Sequence, residues 1–382
     1  MKNRNILICP LEWGLGHAAR MIPLAEKLRA GGNNIFIGAG EEHLSMFRRE
    51  LPGLTYISFP GFRPGYSRHF PSWLVMLCKM PALACHIVRE HSELKKIIRD
   101  NSIDIVISDN RFGLWNREVT TVYVTHQLRV PFPKPFRFAE FIGILVHRAI
   151  IRKYDLCFIP DLPGEPNVSG RLSHGLKLPL NARYIGLLSR FSGTPPAESG
   201  SFGYPHNTVI LSGPEPQRGM LKQKLESLFR AQEPVTIFLG GNPDKGEEMT
   251  RTGNIIYYSH LGTARMAEAL RSSDRIISRS GYTTIMELLS LGCTALIIPT
   301  PGQTEQEYLA SYLKEKGWFL SVSQKNIGTT ISTSPKTKFN GKDMMEMSEK
   351  LLEEAIRALS EYPEQQGRNA ETQKKTKPGF TG

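Results

Sequence analysis

Ser278-Arg279-Ser280-Gly281-Tyr282-Thr283-Thr284-Ile285-Met286-Glu287 reads as a strand tip, a tight turn and the start of a helix. Residues 275–278 form the strand ahead of it, and residues 282–291 form the helix behind it. A second strand, 295–298, then runs into the polar turn Pro299-Thr300-Pro301-Gly302-Gln303 and a helix over 304–315. Strands alternating with helices in this way predict a parallel sheet covered by helices on both faces.

The same rhythm extends towards the N-terminus. Strands are expected at 209–211, 235–239 and 255–258, with helices near 216–231 and 263–271. Residues 189–207 are rich in Gly, Pro and Ser and read as a linker. Before it, an apolar run at 4–10 precedes a Gly-rich turn and a helix over 17–30, where Ala18, Ile22, Ala25 and Leu28 share one face and Gly31-Gly32 ends it. Further strands are expected at 35–37, 54–59, 103–108 and 121–125. The fold class is therefore α/β: two facing Rossmann-like doubly wound domains, 1–188 and 208–330, with an interdomain cleft. A C-terminal helical segment follows at 331–362, and the polar, basic residues 363–382 are expected to be disordered.

Composition narrows the class. With 382 residues, 40% hydrophobic and 22% charged, the chain can bury the cores of two or three domains and is too apolar to be disordered. Its five cysteines are scattered without a CxxC pair, which excludes a disulfide framework or zinc finger and suits a reducing cytoplasm. No run reaches the roughly 18–20 apolar residues of a membrane span, and Pro10 and Glu12 interrupt the apolar start too early for a secretion signal. The chain is expected to begin at Met1 and to stay cytoplasmic. Residues 1–190 hold 26 Lys and Arg against 15 Asp and Glu, so the first half carries nearly all of the net +12. Such a surface attracts an anionic partner, either a phosphate-rich substrate or anionic lipid. No nucleic-acid motif accompanies it, so no nucleic acid is expected.

The turn after Ser278 exposes helix N–H groups that suit a diphosphate, with Ser280, Gly281 and Thr283 around it and Arg279 adding a positive charge. Thr284 and Glu287 lie on one helix face, where the carboxylate suits a ribose diol. Gln303 and Gln306 sit on the same sheet edge, and amides both donate to and accept from sugar hydroxyls. No Asp-x-Asp and no clustered His or Cys is present, so no metal and no cofactor is expected, and leaving-group charge falls to Arg and helix N-termini.

In the first half, Trp13-Gly14-Leu15-Gly16-His17-Ala18-Ala19-Arg20 precedes a helix. It matches the letters of the GxGxx[GA] dinucleotide fingerprint, but it starts four residues past the strand end, and the acid expected at the tip of the second strand is displaced to Glu41, after Gly38-Ala39-Gly40. His17 reads as a general base or a hydrogen-bond donor, or as a capping residue. Ser108-Asp109-Asn110-Arg111 and Thr125-His126-Gln127 follow strands whose ends face the cleft. Asp109, His126 and His17 are thus the candidates for acceptor binding and proton removal. Polar loop residues satisfying one another is the alternative.

The run from Arg279 to Ala310 resembles the donor-binding motif of family 28 glycosyltransferases. The resemblance implies a two-domain GT-B fold, no metal and inversion at the anomeric carbon. It implies that Arg279, Gly281 and Thr284 line the diphosphate, Glu287 binds the ribose of uridine, and Gln306 contacts the donor sugar. Gly14-Leu15-Gly16-His17 is similar to the family's N-terminal glycine-rich turn. The chain departs at Ser212-Gly213-Pro214-Glu215-Pro216-Gln217-Arg218, where prolines remove N–H donors and Arg218 becomes a substitute phosphate ligand. Glu307 stands where the family has the second glutamine of its sugar-binding pair, and Ala310 where it has an asparagine.

Two apolar-basic segments remain. Residues 73–88 contain Lys79 and are broken by Pro81; residues 138–154 carry Arg148, Arg152 and Lys153 after Arg137. Either suits a membrane surface or a core helix. The expectation is an inverting, metal-independent transferase in cell-envelope glycan synthesis, cytoplasmic or peripheral on the inner membrane face. It would move N-acetylglucosamine or another hexose from a UDP-sugar to a lipid-linked or glycan acceptor. A UDP-sugar 2-epimerase and a nucleotide-sugar-binding protein without turnover are the alternatives.

Overall fold

The computed structural model describes residues 3–63, 65, 72–194, 202, 204–330 and 339–362. The first half contains β1 (Asn5–Cys9), α1 (Leu15–Ala30), β2 (Asn34–Ala39), α2 (Glu41–Glu50), β3 (Thr55–Ser58) and α3 (Ser72–Asp100). It continues with β4 (Ile105–Asp109), β5 (Thr120–Val124), α4 (Glu140–Ile151), β6 (Leu156–Ile159) and β7 (Ala182–Tyr184). The strands form one parallel seven-stranded sheet ordered β3-β2-β1-β4-β5-β6-β7. β4 and β5 are buried along their whole length, as strands covered on both faces must be.

The second half contains β8 (His206–Ile210), α5 (Gln217–Phe229), β9 (Val235–Leu239), β10 (Met249–Thr252), β11 (Ile255–Tyr258), α6 (Thr263–Arg271) and β12 (Arg275–Ser278). After it come α7 (Tyr282–Ser290), β13 (Leu296–Ile297), α8 (Thr304–Glu315), β14 (Leu320–Ser321), α9 (Ile327–Thr330) and α10 (Lys342–Glu361). Its seven-stranded sheet runs β10-β11-β9-β8-β12-β13-β14, with only the edge strand β10 antiparallel. Each half is thus a doubly wound α/β domain, as expected.

Three details refine the sequence reading. α3 runs straight through Pro81, and α1 through Pro23. A proline removes one helix donor, which long flanking turns can absorb. The described part of the expected linker is anchored rather than free: Phe191 and Phe202 sit in the core of the second domain. Residues 195–201 and 203, and the tail expected to be disordered, lie outside the described residues. Finally, α10 is not an appendage. Leu352, Ala355 and Leu359 pack into the core of the first domain beside Ile185 and Leu188. The Ser348 hydroxyl accepts the Leu187 N–H at 3.0 Å. Gly186 sits at φ 77°, and a Cβ there would fall 2.3 Å from the Ser348 backbone, so only glycine allows this approach. Among the described residues, no helix is long and apolar enough to cross a membrane.

Candidate active site

Strand order reverses between β1 and β4 in the first sheet and between β8 and β12 in the second. Ligands bind beyond the carboxyl ends of strands at such reversals. The loops leaving these strands line one cleft of about 520 Å³ between the domains.

On the first-domain side, Gly14 lets the chain turn from β1 into α1. Its φ of 128° is open only to glycine, and α1 carries no side-chain cap. Gly16 faces the other domain, where an added Cβ would meet Thr283 at 3.3 Å. His17 then lines the cleft on the first turn of α1, and its Nδ1 lies 3.0 Å from Asp109 Oδ2 at the end of β4. Asp109 is fully buried. Arg20, also buried, holds both its oxygens, with Nε 2.9 Å from Oδ2 and Nη2 against Oδ1. Burial alone would raise the Asp109 pKa, but the Arg20 charge and the His17 contact overcome it and hold the carboxyl at about 2. For His17, burial comes first in lowering the pKa and the Arg20 charge adds to it, against the opposing pull of Asp109.

His126 is brought to the same cluster but not as a free base. Arg20 Nη1 can only donate, so His126 Nδ1 accepts at 3.0 Å and the ring proton sits on Nε2. Nε2 faces Glu305 Oε1 of the other domain at 2.9 Å, and the ring stacks on Tyr282 at 4.2 Å. Both nitrogens are engaged, so His126, which also lines the cleft, bridges the two domains in this structure.

On the second-domain side, Ser212, Gly213, Arg218, Gly281, Thr283, Thr284, Glu287, Gln303 and Gln306 all line the cleft. The N-terminus of α7 has no side-chain cap, so its N–H groups stay open there. Arg218 is braced by Glu215 Oε1 at 2.9 Å. The Thr283 hydroxyl donates to the Gly16 carbonyl at 3.0 Å, tying the two Gly-rich turns together. Gln306 Oε1 accepts the Thr300 N–H at 2.9 Å. Glu287 is nearly buried and accepts from Arg190 Nε at 2.8 Å. Its burial raises the carboxyl pKa, and Arg190 opposes that shift.

Three expected donor contacts are corrected. Arg279 is 1% exposed and donates to the carbonyls of Ile298, Pro299 and Gln217 and to Gln324 Oε1. Its guanidinium braces the strand ends around the turn instead of facing the cleft. Ser280 is buried and donates to the Gln306 carbonyl. Glu307 accepts the Gly302 N–H at 2.8 Å, fixing the turn ahead of α8, and does not line the cleft. Conversely, Arg20, Arg190, Tyr282 and Glu305 line the cleft without having been singled out. Arg20 had a signal, since it lies one turn after His17 on the same helix.

The profile of the glycosyltransferase family 28 C-terminal domain matches residues 220–377. An uncharacterized glycosyltransferase of Methanosarcina mazei is 24% identical over 82% of this chain and 84% of its own length. The UDP-N-acetylglucosamine--N-acetylmuramyl-(pentapeptide) pyrophosphoryl-undecaprenol N-acetylglucosamine transferase of Desulforamulus reducens is 34% identical over 28% of each chain. A spinosyn rhamnosyltransferase solved with thymidine diphosphate superposes with a TM-score of 0.57 at 14% identity, covering 94% of this chain and 100% of that one. The two doubly wound domains, the cleft between their strand-order reversals and these likenesses converge: the chain is a glycosyltransferase of GT-B fold that matches glycosyltransferase family 28 over residues 220–377.

Proposed function

We propose that the protein transfers a hexose, N-acetylglucosamine foremost, from a UDP-sugar to a hydroxyl of a lipid-linked or glycan acceptor, with inversion and without a metal. The observation that carries this reading is the uncapped N-terminus of α7, opening with Gly281 and Thr284 into the cleft that His17, backed by the buried Asp109, also lines. The open amides and the helix dipole would hold the diphosphate and stabilise its charge as it leaves, with Arg218 beside them. Glu287 would accept from the ribose diol, and Gln303 and Gln306 would hydrogen-bond the sugar.

In the reaction, the acceptor hydroxyl oxygen attacks the anomeric carbon from the face opposite the diphosphate. The carbon–oxygen bond to phosphate breaks, UDP leaves with the electron pair, and the hydroxyl proton passes to His17 Nε2. His17 Nδ1 lies 3.0 Å from Asp109 Oδ2 and 2.9 Å from Arg20 Nη2, and the transfer step uses the tautomer whose Nδ1 proton is directed at Asp109, with Nε2 left to accept. UDP is favoured because the name of the Desulforamulus reducens relative specifies a UDP-sugar donor.

A thermal-shift screen of UDP-, GDP- and TDP-sugars tests the donor, since a ligand specific for the folded state raises the melting temperature by mass action. UDP-sugars are expected to give the largest rise; a larger rise with GDP- or TDP-sugars would overturn the assignment. Glu287→Ala should abolish the UDP response. Glu287→Gln, which keeps the shape beside Arg190, should weaken UDP binding by roughly 10- to 100-fold, the value of a hydrogen bond to a charged group.

A membrane-bound acceptor fits the outside of the first domain. Phe138, Phe141, Ile142, Leu145 and Val146 recur at helical spacing on and just before α4 and are 52–75% exposed. Arg137, Arg152 and Lys153 are exposed around them. Apolar residues flanked by cations suit anionic headgroups over acyl chains. The double variant Phe138→Glu/Leu145→Glu should lower partitioning onto vesicles containing anionic lipid by about 100-fold or more, each lost side chain contributing about 1.5–3 kcal/mol. Unchanged sedimentation with the vesicles would remove the membrane from the reading.

A further inference from the structure

The first-domain mouth of the cleft carries a group of side chains that the transfer step leaves unused. Trp13, Glu12, Glu42 and Arg63 all line it. Glu12 and Trp13 follow β1, Glu42 stands on the first turn of α2 just past β2, Arg63 follows β3, and these segments are locked to one another. Trp13 Nε1–H donates to the Phe62 carbonyl at 2.9 Å, tying the first loop to the third. Glu12 has no exposed side-chain surface; one of its oxygens accepts the Gly40 N–H, and the other accepts Arg63 Nε at 2.8 Å. Glu42 stands 3.6 Å from Arg63 Nη1. Despite these partners the Arg63 side chain remains 50% exposed.

A buried carboxylate is expensive unless its partners are well placed. Here Glu12 gives up water to fix a guanidinium whose other edge is open to the cleft. The result is two flat groups held rigid, an indole and a guanidinium, with a half-exposed carboxylate beside them. The chemistry of the occupant follows from the charges. Two carboxylates face one cation, so no surplus positive charge remains for a phosphate or carboxylate. A purely apolar occupant would strip water from Arg63 and Glu42 without replacing their hydrogen bonds. A neutral ring with one apolar C–H face and several hydroxyls meets both demands. Its C–H face lies on the electron-rich face of the indole, while its hydroxyls donate to Glu42 and accept from Arg63.

We propose that Trp13, Arg63 and Glu42 form an acceptor subsite for an uncharged pyranose, so that the unit receiving the transferred sugar is itself a sugar. This rests on the glycosyl-transfer reading above and deepens it by naming the acceptor class. Gly14 to Gly16 separate Trp13 from His17, so one short loop carries both the platform and the base.

Tryptophan emission is the test, with octyl β-glucoside, octyl β-galactoside and octyl N-acetyl-β-glucosaminide as probes below their micelle concentrations. Octanol is the control, and each titration is run with and without UDP. At least one glycoside is expected to give a saturable change that octanol does not, and Trp13→Phe should erase it. Arg63→Met should raise the apparent Kd by about tenfold or more, as loss of a charged hydrogen bond requires. Both variants should keep the UDP-induced thermal shift. An equal response to octanol, a response surviving in Trp13→Phe, or no response to any of the three glycosides would overturn the subsite. Failure of wild-type protein to bind UDP would strike the donor assignment instead, and the titrations without UDP would still decide the subsite.

Discussion

Replacing His17 with Ala is expected to lower kcat by about 10²- to 10⁴-fold, the usual contribution of a positioned general base, while the thermal shift produced by UDP persists. His17 lies on the first turn of α1, lines the cleft and contacts a buried aspartate through Nδ1. That contact orients the ring, and with the Nδ1 proton directed at Asp109, Nε2 is left for the acceptor proton. Donor groups come from the other domain, so binding and proton removal should separate in this variant. The pH profile supplies an independent readout. Burial first, then Arg20, lowers the His17 pKa from its ordinary value of 6.5. The base therefore stays unprotonated below that value, and the acid limb of wild-type kcat should lie under pH 6.5, activity falling as the pH drops through the lowered pKa. His17→Gln should lose that limb along with the rate. A loss of less than tenfold in both variants would place the base elsewhere.

How much of this site could be read from sequence depends on how local its contacts are. The turn from β12 into α7 was legible because a strand, a Ser-Gly turn and a helix start are consecutive, and its backbone lines the cleft as expected. The direction of Arg279 was not legible. Its side chain is long enough to reach either side of the sheet edge, and the carbonyls that capture it come from residues 19, 20 and 62 positions away. Arg190 was hidden for the same reason. It sits in a stretch whose composition signals a linker, and Glu287 is 97 positions further on. Hydrophobic pattern failed where burial supplies none: β10 is exposed at all four residues and pairs only through its backbone. α10 showed its amphipathic character plainly, but not that its apolar face belongs to the opposite domain.

The interdomain contacts bear on how the reaction is assembled. His126 bonds Glu305, Thr283 bonds Gly16, and the Tyr282 hydroxyl donates to the Pro160 carbonyl at 2.7 Å. Each contact joins the first domain to the α7 or α8 segment of the second, beside the proposed donor site. In the proposed reaction, these contacts would couple the fit between the domains to the alignment of the acceptor oxygen with the anomeric carbon. An error in that alignment is costly, because transfer depends on near-attack geometry.

The largest loss of stability is expected from Asp109→Ala. Asp109 has no exposed surface, and Arg20, 1% exposed, is its bidentate partner. Removing the carboxylate leaves a guanidinium buried without its counter-charge, which costs about 3–5 kcal/mol and should appear as a lower denaturant midpoint. Wild-type protein should also lose stability in acid, by less than the variant, as this carboxyl takes up its proton. The carboxyl titrates at about 2 in the folded chain against an ordinary 3.8, so its stabilisation is complete above 3.8 and disappears as the pH falls towards 2. Asp109→Ala also removes the group that orients His17, so activity should fall with stability. A double variant separates the two effects. Asp109→Leu with Arg20→Met removes both charges and fills the space with apolar atoms, an exchange that is often neutral or stabilising for a buried pair. It should recover most of the midpoint lost in Asp109→Ala but none of the rate, because His17 would still lack its partner. Recovery of activity together with stability would mean that Asp109 serves only the fold, and an unchanged midpoint in the single variant would mean that Arg20 finds another anion.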